Sequence, residues 1–254
     1  SRAAWSQARE ACVRLALDDA DPMTVAVILG QARAARAEGD VPATAELLAR
    51  LRDQTLSPSQ QLEWVSLQCS IAMIRGEYDV VLTLTSDDDL ETDLLVVRAE
   101  ALRRAGRLEE SAVALEAALA AAEGVGDAHT VVACRWRLAR LRRHLGRPEA
   151  ALAGLRQALE EASALDDPDV EAQVLRELGH LELAAGRMAE AEEALRRSLD
   201  KSASAGARSE TAGTRLSLGE LARKRGDRAA AARDGSAGAA GASARGVTDQ
   251  AGPG

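Results

Sequence analysis

The side chains best suited to act as nucleophile, general base or soft metal ligand near neutral pH are three histidines and three cysteines in a chain of 254 residues. His129, Cys134 and His144 lie in one stretch and would offer imidazole and thiolate to an ion such as zinc. Their spacings of five and ten positions do not stack them on one helix face, as a step of four would. Cys12, Cys69 and Cys134 each fall inside an apolar helical pattern, where a free thiol packs as a small core residue. Scattered and odd in number, they predict no disulfide framework and fit a reducing cytosol. Asp87-Asp88-Asp89 and Asp166-Asp167 read as helix-start charges, because a calcium loop needs a longer alternating ligand pattern. No phosphate-binding loop, dinucleotide fingerprint, nucleophile elbow or H-E-x-x-H is present. The sequence therefore predicts no enzyme, no metal and no cofactor.

The chemistry that remains is arginine's. Lys occurs only at Lys201 and Lys224, and Arg supplies the rest of the positive charge. A guanidinium fork matches a carboxylate in shape and holds it by two parallel hydrogen bonds. Net charge is nonetheless -8, which argues against nucleic acid as a partner, since phosphate neutralisation needs a basic surface. No apolar run reaches the roughly 18 residues of a membrane span. The N-terminus reads as an amphipathic helix with charges inside it, with no signal peptide. A protein or peptide partner in the cytoplasm is the expectation.

The elements that would position these arginines are helices. Apolar residues make up 46% of the chain and aromatics 2%, with no Phe, so the core must be Leu, Ala and Val. The absence of Asn and the excess of Ala, Arg and Gly match the usage of a GC-rich bacterial genome. A repeat is plain. Gly106, Gly146, Gly186 and Gly226 stand 40 positions apart. Leu115, Leu155 and Leu195 keep that step, as do Leu138, Leu178 and Leu218, and Leu141, Leu181 and Leu221. Each unit reads as two helices divided by the glycine, which takes a left-handed conformation at least cost. Asp21-Pro22, Ser57-Pro58 and Asp167-Pro168 each place a capping side chain before a proline at the first helical position. Pro42 and Pro148 follow glycine-containing turns in the same way. Gly39 and Gly76 play the glycine's part earlier, with a short second helix predicted around Tyr78 to Thr85.

With Leu175-x2-Leu178-Gly179 followed by Ala191-x3-Leu195, the chain resembles the tetratricopeptide repeat family. Ala151-x3-Leu155 and Ser111-x3-Leu115 repeat the second half of that pattern, and Leu218-Gly219 the first. The resemblance covers about residues 20–231, most strongly from 93 onward. Its period exceeds the usual 34 residues, as in the extended-helix variety of bacterial regulators, kinesin light chains and peptide-sensing proteins. The family's large aromatic positions are Leu, Arg or Ala here. The resemblance implies an all-α, right-handed α-α superhelix of five to six helical hairpins, the solenoid at 21–231; the N-terminal stretch 1–20 reads as a capping helix, and the composition of 232–254 predicts a Gly/Ala-rich disordered tail. It further implies a concave surface lined by the first helix of each pair, which binds an extended or helical segment of a partner.

The family's inner-face offsets fall on Arg33 and Arg36, then Asp93, Glu100, Arg103 and Arg104. They continue on Trp136, Arg140, Arg143 and His144, then Gln173, Arg176 and His180, and finally Glu220, Arg223 and Lys224. Arg103, Arg104, Arg140, Arg143, Arg176 and His180 are the expected contacts for an acidic segment, with Trp136 as an aromatic anchor. The family's chaperone-tail clamp uses Lys and Asn, and Glu100, Arg140 and His180 stand at the matching positions, so that partner class is not expected. Two functional readings follow: a protein-interaction scaffold, and a sensor module of a larger bacterial signalling protein or transcription regulator that takes up a peptide or small molecule. Beyond Ala231 the pattern weakens, with Gly235 and Gly238 where Leu195 and Ser198 would align. Leu216, Leu218 and Leu221 are then expected to be partly uncovered, making that end a contact site for another copy, a following domain or the tail.

Overall fold

The computed structural model describes residues 20–87 and 90–243, together with Ala4, Trp5, Gln7, Glu10 and Asp18. Among the described residues every regular element is a helix, and the chain divides into two compact units, Ser1–Leu90 and Glu91–Gly254. Cys12, Asp88 and Asp89 lie outside the described residues.

The first unit holds α1 (Pro22–Ala37), α2 (Val41–Ala49), α3 (Pro58–Arg75) and α4 (Tyr78–Leu84). Start signals read from the sequence act as caps. Asp21 accepts from the Met23 amide, and Ser57 and Gln60 form a reciprocal capping box. Val25, Ile28, Leu29, Leu48, Leu51 and Ile71 form the core of this unit. The Trp64 indole packs against it and donates to the Leu48 carbonyl at 3.1 Å. Helix α4 is only seven residues long, as the close spacing of Gly76 to Gly106 predicts. Of the expected capping helix, Ala4, Trp5, Gln7 and Glu10 are helical, and the Trp5 ring lies flat on Gly30, where any side chain would collide with it.

The second unit is a run of four antiparallel hairpins: α5 (Thr92–Arg104) with α6 (Leu108–Val125), α7 (Ala128–His144) with α8 (Pro148–Ala164), α9 (Pro168–Ala184) with α10 (Met188–Ser204), and α11 (Arg208–Arg225) with α12 (Arg228–Ser243). Every junction carries a left-handed residue: Gly106, Gly126, Gly146, Asp166, Gly186, Gly206 and Gly226. They stand 20 positions apart, half the period visible in the sequence. The sequence reading picks out only alternate members, because the intervening series is broken by Asp166, which is not glycine. At most of them the next amide reaches back to the helix, as Arg107 does to Leu102 at 2.8 Å and Arg147 to Arg142 at 2.8 Å. Those bonds satisfy carbonyls that the helix end would otherwise leave open. The aligned leucines Leu115, Leu155 and Leu195 are buried, and so are Leu141, Leu181 and Leu221. Burying each contributes about 1.5–3 kcal/mol.

The C-terminal region departs from expectation. Residues 232–243 are helical, completing α12, while residues 244–254 lie outside the described residues. Glycine makes the packing workable. A Cβ on Gly219 would stand 2.9 Å from the Gly235 amide nitrogen, and one on Gly238 would stand 2.9 Å from the Ala212 carbonyl oxygen. Helices α11 and α12 thus meet backbone to backbone. A reading that counts large apolar groups misses this, because dispersion contact here comes from main-chain atoms. Leu218 and Leu221 are buried, and Leu216 remains 44% exposed.

Two outcomes are expected. Replacing left-handed Asp166 with Gly removes the clash of a Cβ at positive φ and raises stability by about 0.5–1 kcal/mol, read from urea midpoints. Gly238→Val drives a side chain into the α11 backbone and destabilises the last hairpin by about 1–3 kcal/mol. Amide exchange should then accelerate in α12 while α7 to α10 keep their protection.

Candidate functional site

Helices α5, α7, α9 and α11 are the first members of their hairpins, so they run in one direction and carry equivalent positions past each other. Charge placement follows the helix ends. Basic residues fill the last turns of α5 (Arg103, Arg104) and α7 (Arg142, Arg143, His144), where the partial negative charge of the helix end favours them. The first turn of α9 holds Asp169 and Glu171, and that of α11 holds Glu210.

Two carboxylates organise the arginines. Glu100 accepts from Arg103 through both oxygens, at 2.7 and 2.9 Å, and from Arg104 Nε at 2.9 Å. It also accepts from Arg140 Nη2 of the next hairpin at 2.9 Å. Glu177 on α9 is 3% exposed and lies among Arg140 Nη1 at 3.9 Å, Arg143 Nη2 at 3.7 Å and His180 Nδ1 at 3.8 Å. The other ring nitrogen of His180 is 2.7 Å from Ser217 Oγ on α11. A polar chain therefore crosses four hairpins, from Glu100 through Arg140 and Glu177 to His180 and Ser217. Arg176 pairs separately with Glu210, Nε to carboxylate oxygen at 2.5 Å.

Burial alone would raise both carboxyl pKa values. At Glu100 the Arg103 hydrogen bond and the Arg140 and Arg103 charges outweigh it, and the pKa falls from 4.5 to about 2. At Glu177 burial is outweighed by His180 and by the Arg140 and Arg176 charges, again giving about 2. Glu210 goes the other way: burial exceeds the pull of Arg176, and its pKa rises. His144 is drawn down, by burial first and then by the positive charges of Arg143 and Arg103.

Of the residues singled out in the sequence, Arg103, Arg104, Arg140, Arg143 and His180 come together around Glu100 and Glu177. Arg176 stands beside them with its own carboxylate. Trp136 is not at the surface. It is 5% exposed, in a core with Val132, Ala139, Leu155 and Val174, and the guanidinium carbons of Arg137 and Arg140 lie 4.3 and 5.1 Å from its ring centre. Its part is to support arginines by packing and by its π-face. In the first unit, Arg33 pairs with Glu63 at 3.2 Å and Arg36 donates to Ser70 Oγ. Sequence reading did not pick out Glu177 and Glu210. Glu177 had a signal, since Arg137, Glu177 and Ser217 share one position of the 40-residue repeat. Glu210 had none beyond its place in a first turn.

His129 pairs with Asp167 at 3.4 Å, and Cys134 is buried, which pushes its thiol pKa up. Among the described residues no three His, Cys, Asp or Glu side chains gather as a metal site, and no helix is long and apolar enough to cross a membrane.

No family profile matches the sequence, and no curated protein resembles it in sequence. Solved structures do resemble it in fold. A Rap protein complexed with competence and sporulation factor superposes with a TM-score of 0.74 at 16% identity, over 94% of this chain and 70% of that one. NprR, a quorum sensor from B. thuringiensis, in complex with its cognate peptide NprX, gives 0.72 at 19% identity, over 91% and 70%. A putative kinesin light chain from Podosopora anserina with nearly identical TPR-like repeats gives 0.57 at 17%, over 75% and 99%. The fold is a tetratricopeptide-like helical solenoid. In this TPR-like chain the arginine cluster occupies the first-helix face that the repeat pattern singles out.

Because the folded pKa values of Glu100 and Glu177 are depressed, their stabilisation is complete above about pH 4.5 and is lost as pH falls towards 2. Glu210 opposes this weakly, since its raised pKa favours the folded state when protonated. Chemical denaturation of the wild type should therefore weaken steeply across that window. Glu177→Gln should flatten the slope and cost about 3–5 kcal/mol at neutral pH, because Arg140 and Arg143 lose a buried counter-charge.

Proposed function

We propose that the chain is a protein-interaction module that receives an acidic segment of a partner on the first-helix face of its second unit. The observation that carries this reading is the arginine cluster around Glu100 and Glu177. Arg103, Arg140 and Arg143 keep only 24%, 17% and 22% of their side-chain surface. Partly desolvated guanidiniums interact with an incoming carboxylate more strongly than arginines extended into water. Held in place by two carboxylates, they need little reordering on binding. Trp136 supports them from below. Binding of NprX by NprR, on a scaffold of the same fold, supports a peptide as the ligand.

The same likeness supports a second reading, in which the chain is the sensing part of a larger regulatory protein and peptide uptake shifts an effector domain. We assign the chain to the reducing cytoplasm, where Cys69 and Cys134 stay thiols. Exposed Leu216 on the last hairpin is the proposed contact for a second copy.

Affinity for a Glu- and Asp-rich peptide should fall by at least about tenfold between about 50 mM and about 500 mM salt, by fluorescence anisotropy. Arg103→Gln combined with Arg143→Gln should abolish most of that binding while circular dichroism stays unchanged. Salt-independent binding, unaltered by the pair of substitutions, would sink the proposal.

A further inference from the structure

We propose that the C-terminal halves of α5 and α7 form a seat for a doubly charged tetrahedral oxyanion, a phosphomonoester carried by the bound segment, with Arg103, Arg140 and Arg143 as its donors. This rests on the reading of the first-helix face as the binding surface.

The argument starts from how the carboxylates are shared. Glu100 serves Arg103, Arg104 and Arg140 at once, and Glu177 serves Arg140, Arg143 and His180. No guanidinium in the cluster holds a carboxylate to itself. Glu177 also sits at 3.7–3.9 Å from Arg140, Arg143 and His180, a distance at which charge is felt but no hydrogen bond closes. Arg140 Nε and Arg143 Nε are buried and donate to no acceptor among the described residues. Glu177 Oε2, equally buried, accepts from none, so four arginines crowd two carboxylates without closing every bond, and positive charge exceeds negative at this point of the face.

Geometry selects the anion. Arginines from two adjacent hairpins converge, Arg103 on α5 and Arg140 and Arg143 on α7. Arg103 and Arg140 share Glu100, and Arg140 and Arg143 share Glu177, so Arg140 ties the three together, with exposed His144 beside them, drawn down by burial and by the Arg143 and Arg103 charges. A carboxylate brings two coplanar oxygens and a single charge, and Glu100 already spends both of its oxygens on three arginines. A phosphomonoester carries about two charges at neutral pH and three terminal oxygens in different directions, which suits forks arriving from two helices.

The test uses matched single-residue probes on the full chain at about pH 7.5, where phosphoserine is a dianion. N-acetyl phosphoserine amide should bind about tenfold or more tightly than N-acetyl glutamate amide, by NMR titration. The phosphoserine probe should also raise the titration midpoint of the His144 ring, because an added anion offsets the Arg103 and Arg143 charges. Arg143→Gln should lose most of this binding, and Arg196→Gln, on α10 and paired with Glu192, should lose none. Equal affinity for the two probes, or a His144 midpoint that does not move in the wild type, would overturn the seat and leave the acidic-segment reading standing. Phosphoserine binding without any binding of the Glu- and Asp-rich peptide would do the reverse.

Discussion

The second unit depends on a left-handed residue recurring every twentieth position. Each such residue ends one helix and starts the next at a fixed angle, so consecutive first helices run parallel and in register. Register is what turns a one-dimensional pattern into a surface. Residues 40 positions apart become neighbours on adjacent hairpins, and a column of side chains such as Arg137, Glu177 and Ser217 is laid across the face. A turn of different length would rotate the following helix and carry its charges off that face. Asp166 shows how strongly the constraint acts, since it adopts the left-handed conformation at φ 52° without being glycine.

Within this frame, electrostatics and packing solve one problem together. Small Ala-rich positions let helices approach closely, which removes water from the arginine stems. Desolvation would be unfavourable for unpaired guanidiniums. Glu100 and Glu177 offset it by bridging neighbouring hairpins, so the same ion pairs that neutralise the arginines also fix one repeat against the next. Trp136 adds a π-face beneath Arg137 and Arg140. The cluster is therefore both a seam of the stack and a partly exposed array of guanidiniums. A group that serves both purposes is pre-organised at no separate entropic cost.

The fold was largely legible because its signals are local and repeated. Helix caps at Asp21, Ser57 and Asp167, the glycine spacing and the Leu columns each concern a few neighbouring residues. The site was half legible. Positions of Arg103, Arg140, Arg143 and His180 on the first-helix face follow from the period. Their partners do not, because an ion pair between hairpins joins residues about 40 positions apart, and helical phase decides which carboxylate meets which arginine. Trp136 reads as a surface anchor only if its neighbours are ignored. One residue's shift in helical phase separates the core from the face, and Trp136 and Arg137 fall on opposite sides of that line. The helix α12 was illegible for a different reason, since propensity scales count each glycine as a loss of about 1 kcal/mol. They do not record that Gly219 and Gly238 admit a neighbouring backbone.

The two ends of the second unit consequently differ in what holds them. Hairpins α7–α8 and α9–α10 are joined by leucine burial and by ion pairs that span repeats, so separating them would strand charges as well as expose apolar surface. In the last hairpin α11 is tied back by Arg176 to Glu210 and by Arg225 to Glu192, but among the described residues α12 has no such ion pair, and it meets α11 main chain against main chain through glycines that also weaken the helix. Local stability in a repeat array follows such differences between neighbouring interfaces. The arginine cluster thus lies in the most firmly tied part of the unit, where geometry is kept, and α12 lies in the least tied, where opening would cost least. A face built this way can hold its arginines fixed while the end of the array yields.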